Sequence, residues 1–234
     1  MQSTFLISTL SFLPCFTLAF SLGAANDNWA LISTTLDKYT SHACRSAYET
    51  PIDCSDTLLA LVASPDPEYV PSFSDLDSTC TDECRKSIDS YIRTVEEICS
   101  SPWDAALIST AAICTDCRQV QTPVQDIGKI FQYKLQSACA LDRYGTYSSS
   151  QSVPDETSDG VVLSNFDYCY LHPAREGTDF PCSDTCSIDY YKTAYAYPAS
   201  QLTFSHLWLV EKSNYWKHDL ANGYKRALDC EIPV

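Results

Sequence analysis

Positive charge is the first thing the sequence has little of. Its 234 residues carry 15 Lys and Arg against 30 Asp and Glu, a formal net charge of -15. A nucleic-acid binder needs a basic footprint, and an anionic membrane surface repels such a chain. Glycine is scarce, with six residues, and methionine occurs once. The acidic cluster Asp75, Asp77, Asp82 and Glu83 has neither the alternating oxygen ligands nor the glycine turn of a calcium loop, so it reads as a solvated acidic surface. No Asn-x-Ser/Thr site occurs, so N-glycosylation is not expected. No unbroken run of about 20 apolar residues is present to span a bilayer. The His-Glu-x-x-His, Gly-x-Ser-x-Gly and Asp-Thr-Gly signatures are missing as well. Disorder of the whole chain is excluded by 45% hydrophobic and 12% aromatic content.

What is present begins with an uncharged, apolar N-terminus. Residues 1–20 read MQSTFLISTLSFLPCFTLAF, with an apolar core from Phe5 to Phe20 broken by Ser, Thr and Pro. That is the pattern of a secretory signal peptide, cleaved after Ala19 or near Ala24 or Ala25. Its removal takes Cys15 and leaves twelve of the 13 cysteines: Cys44, Cys54, Cys80, Cys84, Cys99, Cys114, Cys117, Cys139, Cys169, Cys182, Cys186 and Cys230. An even count in an exported chain predicts up to six disulfides, with connectivity left open. The expected location is extracellular.

Periodicity predicts a mainly α fold, made of small disulfide-stapled helical units with little β structure. Trp29, Ile32, Leu36 and Tyr39 recur at helical steps, and Ala43 to Tyr48 extends the pattern until Pro51. Ser55 caps a short helix through Leu58, Leu59 and Val62. Cys80, Cys84, Ile88, Tyr91, Val95 and Cys99 define one face of the clearest helix. Cys80 and Cys84 project in parallel from that face, so each is expected to bond a different element. Pro123 opens a further helix that buries Val124, Ile127, Ile130, Phe131, Leu135 and Ala138, although Gly128 weakens it. The polar stretch 145–160 divides a cysteine-rich helical domain, 26–144, from a second cysteine-rich region, 161–234. There, Val161-Val162-Leu163 reads as a strand, and Lys212–Cys230 as a helix with Tyr215, Leu220, Tyr224 and Leu228 inward. Cys182-x3-Cys186 repeats the Cys80-x3-Cys84 spacing, by internal duplication or by coincidence.

No residue is assigned a catalytic role, and no cofactor or metal is expected. Cys114-x2-Cys117 has zinc-ligand spacing, but no matching second pair accompanies it, and thiols in an oxidising compartment form disulfides first. An even cysteine count leaves no free thiol as a nucleophile. Aromatics are the better working groups, with 15 Tyr, 9 Phe and 4 Trp. Tyr190, Tyr191, Tyr195, Trp208 and Trp216 are the candidate binding residues, since flat rings stack on sugar faces and phenols hydrogen-bond at interfaces. The competing reading of each ring is a packed core.

Two family resemblances follow from particular residues. His218-Asp219, within SNYWKHDLANGYKRALDC, resembles the catalytic segment of secreted phospholipases A2. Tyr215-Trp216-Lys217 stands where that family has a cysteine, and Asn222 where it has a tyrosine. The wider resemblance rests on Asp75–Cys84 with the helix to Cys99, on Gly128–Asp142, and on Pro181–Pro198 with Cys230. These segments resemble the cysteine-rich accessory regions of secreted fungal LysM-domain proteins. A LysM module binds chitin-like chains and opens with Tyr-x-Val and Gly-Asp-Thr, and those motifs are not in this chain. The resemblance implies a non-enzymatic secreted protein of fungal origin, effector-like or associated with the cell wall. Cell-wall polysaccharide or an extracellular protein is then the expected partner. The alternatives are a chitin-like carbohydrate binder using surface aromatics and, behind it, a secreted hydrolase such as a phospholipase A2.

Overall fold

The structure is a computed structural model that describes residues 19–23, 36–63, 69–108, 120–141, 168–171, 179–197 and 220–230. Seven helices and one two-stranded sheet lie among them, so the fold is mainly α and stapled by disulfides, as predicted. The helices are α1 (His42–Tyr48), α2 (Asp56–Ala63), α3 (Phe73–Thr79), α4 (Asp82–Ile98), α5 (Gln125–Ala138), α6 (Thr185–Ala196) and α7 (Ala221–Asp229). Strands β1 (Ala105–Ile108) and β2 (Val120–Pro123) pair antiparallel, with Ala105 opposite Pro123.

Local chemistry fixes where these helices start. Ser41, Thr81 and Asp184 each accept a bond from a first-turn N–H, of Cys44, Cys84 and Ser187 respectively. Ser72 and Asp75 form a reciprocal capping box at α3, a helix the periodicity did not reveal. Helix α4 buries Cys84, Ile88, Tyr91, Ile92 and Val95, which is the predicted face with Ile92 added. Every apolar residue assigned to α5 is buried. Pro123, however, ends β2 rather than opening the helix. Gly128 is where α5 meets α4. A Cβ there would lie 2.7 Å from Ile92 Cγ1, so its absence permits the close approach.

The expected helix reaching Tyr39 is corrected at its C-terminal end. Leu36 forms an isolated β-bridge with Ala106 and is buried, while Tyr39 is exposed. Asp37 carries the reason: its carboxylate accepts the Tyr39 N–H at 2.9 Å and its carbonyl accepts the Thr40 N–H at 2.9 Å, so the chain turns. The earlier residues of that expected helix, Val161–Leu163, the divide at 145–160 and the start of the Lys212–Cys230 segment lie outside the described residues. Within α7 the inward face is Leu220, Gly223 and Ala227, not Leu220, Tyr224 and Leu228.

The main core joins α1, α2, α4 and α5 around Ile88, Val95, Ile127 and Phe131, and it includes Phe20 and Leu22. A second cluster places Tyr133 of α5 against Phe180, Tyr191, Ala194, Leu220 and Ala227. A third joins Leu76, Ala138 and Tyr168. Helix α5 therefore contributes to all three. Burying each of its large apolar side chains contributes about 1.5–3 kcal/mol.

Candidate aromatic surface

Five disulfides are formed among the described residues: Cys44–Cys99, Cys54–Cys84, Cys80–Cys139, Cys169–Cys186 and Cys182–Cys230. Cys80 and Cys84 do bond different elements. Three of the bonds join residues before the 145–160 stretch, two join residues after it, and none of the five crosses it. Cys114 and Cys117 lie outside the described residues.

The aromatic candidates separate by burial. Tyr191 is buried, with its ring stacked on Phe180 at 5.4 Å and Tyr190 edge-on at 5.1 Å. Tyr195 is 44% exposed and stacks on Tyr224 of α7 at 4.1 Å between centroids and 7° between planes. Leu228, one turn beyond Tyr224, is 40% exposed. The stacked rings of Tyr195 and Tyr224 thus bridge α6 and α7. Trp208, Trp216, His218 and Asp219 lie outside the described residues, as do His172 and His206.

A second pair of exposed rings escaped the sequence reading. Trp103 is 69% exposed and Tyr39 is 66% exposed. They stand on adjacent loops locked by backbone bonds. Asp37 N–H donates to Ala105 O at 2.8 Å, and the Thr40 hydroxyl donates to the same carbonyl at 3.0 Å. Buried Asp104 accepts the N–H groups of Ser41 at 2.8 Å and Ser101 at 3.2 Å. Gln121 of β2 donates to Asp37 Oδ2 at 2.8 Å. The Lys38 ammonium lies 4.8 Å from the Tyr39 ring centroid. The Ser-Pro-Trp-Asp sequence was the available signal for Trp103. Pro102 presets a turn closed by Asp104 N–H on Ser101 O, which places Trp103 at an outward corner.

The acidic cluster behaves as surface. Asp77, Asp82 and Glu83 are exposed, and Asp75 serves the α3 cap. Bonds from the Ser72 side chain and backbone hold the Asp75 carboxyl below its ordinary value. Tyr168 donates to Asp77 Oδ1 at 3.5 Å, and burial together with that carboxylate pushes the phenol up. Among the described residues no group of three or more His, Cys, Asp and Glu is placed to hold a metal ion, and no helix is long and apolar enough to cross a membrane.

The stapled first half carries most of the segments that suggested a family, and a match to it decides the matter. A model described as the secreted LysM effector N-terminal domain matches residues 26–173, more than half of the chain. The chain belongs to that family. The match covers two of the three segments that carried the resemblance, and it encloses the three disulfides of the first half. It also continues through the 145–160 stretch and past Cys169 to residue 173. No curated protein and no solved structure matches the chain.

Proposed function

We propose that this protein is a secreted, non-enzymatic effector-like protein that works outside the cell by binding. Membership of the secreted LysM effector family carries this reading, and the five disulfides suit an oxidising compartment. The reading includes a fungal origin, a cleaved leader and two stapled units, 26–144 and 161–234, joined by 145–160. The full chain expressed in a secreting host is expected in the medium, without turnover on ester, phospholipid or glycoside substrates, with or without calcium. Reproducible turnover lost in His218→Ala would instead support the hydrolase reading.

A second reading is favoured by the exposed rings. Tyr39 and Trp103 on their locked loops, with Tyr195 stacked on Tyr224, suit contact with the faces of a chitin-like cell-wall polysaccharide. Tyr190, Trp208 and Trp216 remain further proposed contacts. The test is retention on insoluble chitin, glucan and cellulose. Binding to one polymer that falls at least about 5-fold in Trp103→Ala, at an unchanged thermal midpoint, supports it. No retention on any polymer leaves an extracellular protein as the proposed partner.

A further inference from the structure

We propose that hydrolysis of the Ala19–Phe20 peptide bond creates the mature N-terminus, and that this new end is part of the protein core. The proposal rests on the secretion reading for the existence of the leader, and on the structure for the place of the cut. Thr17-Leu18-Ala19 gives small residues at the two positions a signal peptidase reads. Ala19 is exposed, and Phe20 is the first described residue that enters the interior.

Residues 20–23 are held as a built edge. The Phe20 N–H donates to Ile52 O at 3.1 Å, and the Ile52 N–H donates to Phe20 O at 2.8 Å. Ile52 is fully buried, so loss of the segment strips a buried donor and a buried acceptor of these partners. The Phe20 ring packs 5.7 Å from that of Phe131, and Leu22 is fully buried. The Ser21 hydroxyl donates to Glu49 O at 2.6 Å, and the Gly23 N–H donates to Ser21 Oγ at 3.2 Å.

The alternative ends conflict with this arrangement. A cut after Ala24 or Ala25 discards Phe20 and Leu22 and leaves two holes in the main core. No cut leaves the apolar Phe5–Leu18 segment attached to a surface residue of an exported protein. In the proposed step, water adds to the Ala19 carbonyl carbon and the C–N bond breaks. Ala19 keeps a carboxylate and Phe20 gains a protonated amine. That amine still has a proton for Ile52 O, so the bridge survives processing. The bond is cut in the unfolded chain during export, and residues 20–23 dock afterwards.

The test is N-terminal sequencing and intact mass of the full chain secreted by a eukaryotic host. The expected start is Phe-Ser-Leu-Gly. A start at Ala25 or Asn26, or retention of Met1, overturns the assignment. Chains secreted behind a foreign leader and beginning at Phe20 or at Ala25 test the role in the core. The shorter chain should melt more than about 5 °C lower, and equal midpoints overturn that role. Should the shorter chain not accumulate, Phe20→Ala in the longer one makes the comparison: a comparable fall supports the role, and an unchanged midpoint overturns it. Absence of the full chain from the medium refutes the secretion reading and, with it, the proposed cut.

Discussion

Gly223 shows how one missing side chain sets the rotation of a helix. A Cβ at this position would lie 2.1 Å from Cδ1 and Cε1 of Tyr191, whose ring is itself stacked on Phe180. The glycine therefore lets α7 lie directly against α6, and Leu220, Gly223 and Ala227 become the buried face. Hydrophobicity alone favours Leu220, Tyr224 and Leu228, because a glycine scores as a weak helix residue and not as a contact. Gly223→Ala gains up to about 1 kcal/mol of helix propensity. Overpacking against a ring that cannot retreat costs about 1–3 kcal/mol, so the variant should be less stable, with a lower urea midpoint. A higher midpoint would mean that Tyr191 moves freely. Tyr91 supplies a prediction for pH. Its hydroxyl donates to Tyr48 O at 3.0 Å inside the main core, and burial, reinforced by Tyr48, pushes its pKa well above 10.0. The folded state thus favours the neutral phenol. This contribution is fully present below about pH 10 and is lost as pH rises towards the folded pKa. Tyr168, Tyr170 and Tyr197 shift in the same direction. Tyr91→Phe should cost about 1 kcal/mol at neutral pH, and its deficit against the wild type should narrow above about pH 10. Parallel stability curves across that range would remove Tyr91 from the alkaline limb.

Among the elements, α4 and α5 were legible because a cysteine or apolar residue returns every three or four positions and polar residues fill the rest. Strands β1 and β2 were not. Four residues each leave too little alternation to register, and Pro123 resembles a helix opening as readily as a strand end. Helix α3 was hidden because only Leu76 and Thr79 are buried within it, while its capping box lay among acids read together as a charged surface. The repeated Cys-x3-Cys spacing gains content from the pairing. Cys80 and Cys182 each precede a helix and bond the cysteine ending a later one, Cys139 after α5 and Cys230 after α7. Cys84 and Cys186, in the first turn, bond back to Cys54 and Cys169. In each unit a glycine of the later helix, Gly128 or Gly223, faces a tyrosine of the earlier one. The same stapled helix pair thus occurs twice. Its staples differ in the loops they close. Cys80–Cys139 spans 59 residues and Cys169–Cys186 spans 17. Loop entropy alone makes removal of the longer one costlier by about 1 kcal/mol. The Cys80→Ala/Cys139→Ala protein should therefore unfold at lower urea than the Cys169→Ala/Cys186→Ala protein. The reverse order would show that packing around Cys169 outweighs chain entropy.

At the scale of the whole molecule, the two stapled halves meet on α5. Tyr133 packs with Phe180 and Tyr191, Ala138 with Tyr168, and Leu141 bridges Tyr168. Composition at 145–160 predicts a divide there, but the sequence held no signal for this contact. Tyr133 and Ala138 lie on a helix whose apolar stripe already serves the first core. Among the described residues these contacts are non-covalent packing, and none of the five described disulfides crosses the polar stretch. Under the proposed removal of the leader, the cysteines left beside the five described bonds are Cys114 and Cys117, both before 145–160. Full pairing then predicts no thiol reactive to alkylation in the native protein, checked by intact mass. It also predicts the result of limited proteolysis. A polar stretch without an apolar period is the preferred place for a nick, between Tyr144 and Gly160. The nicked protein should stay together in native buffer, held by the α5 contacts. In denaturant without reductant it should part into two fragments, each still compact on a non-reducing gel because its own staples remain. Fragments that separate only after reductant is added would require a disulfide between the halves, and with it a pairing different from the five described bonds. Protection of the whole stretch from proteases would instead make the chain one continuous domain, as the family match through residue 173 also allows.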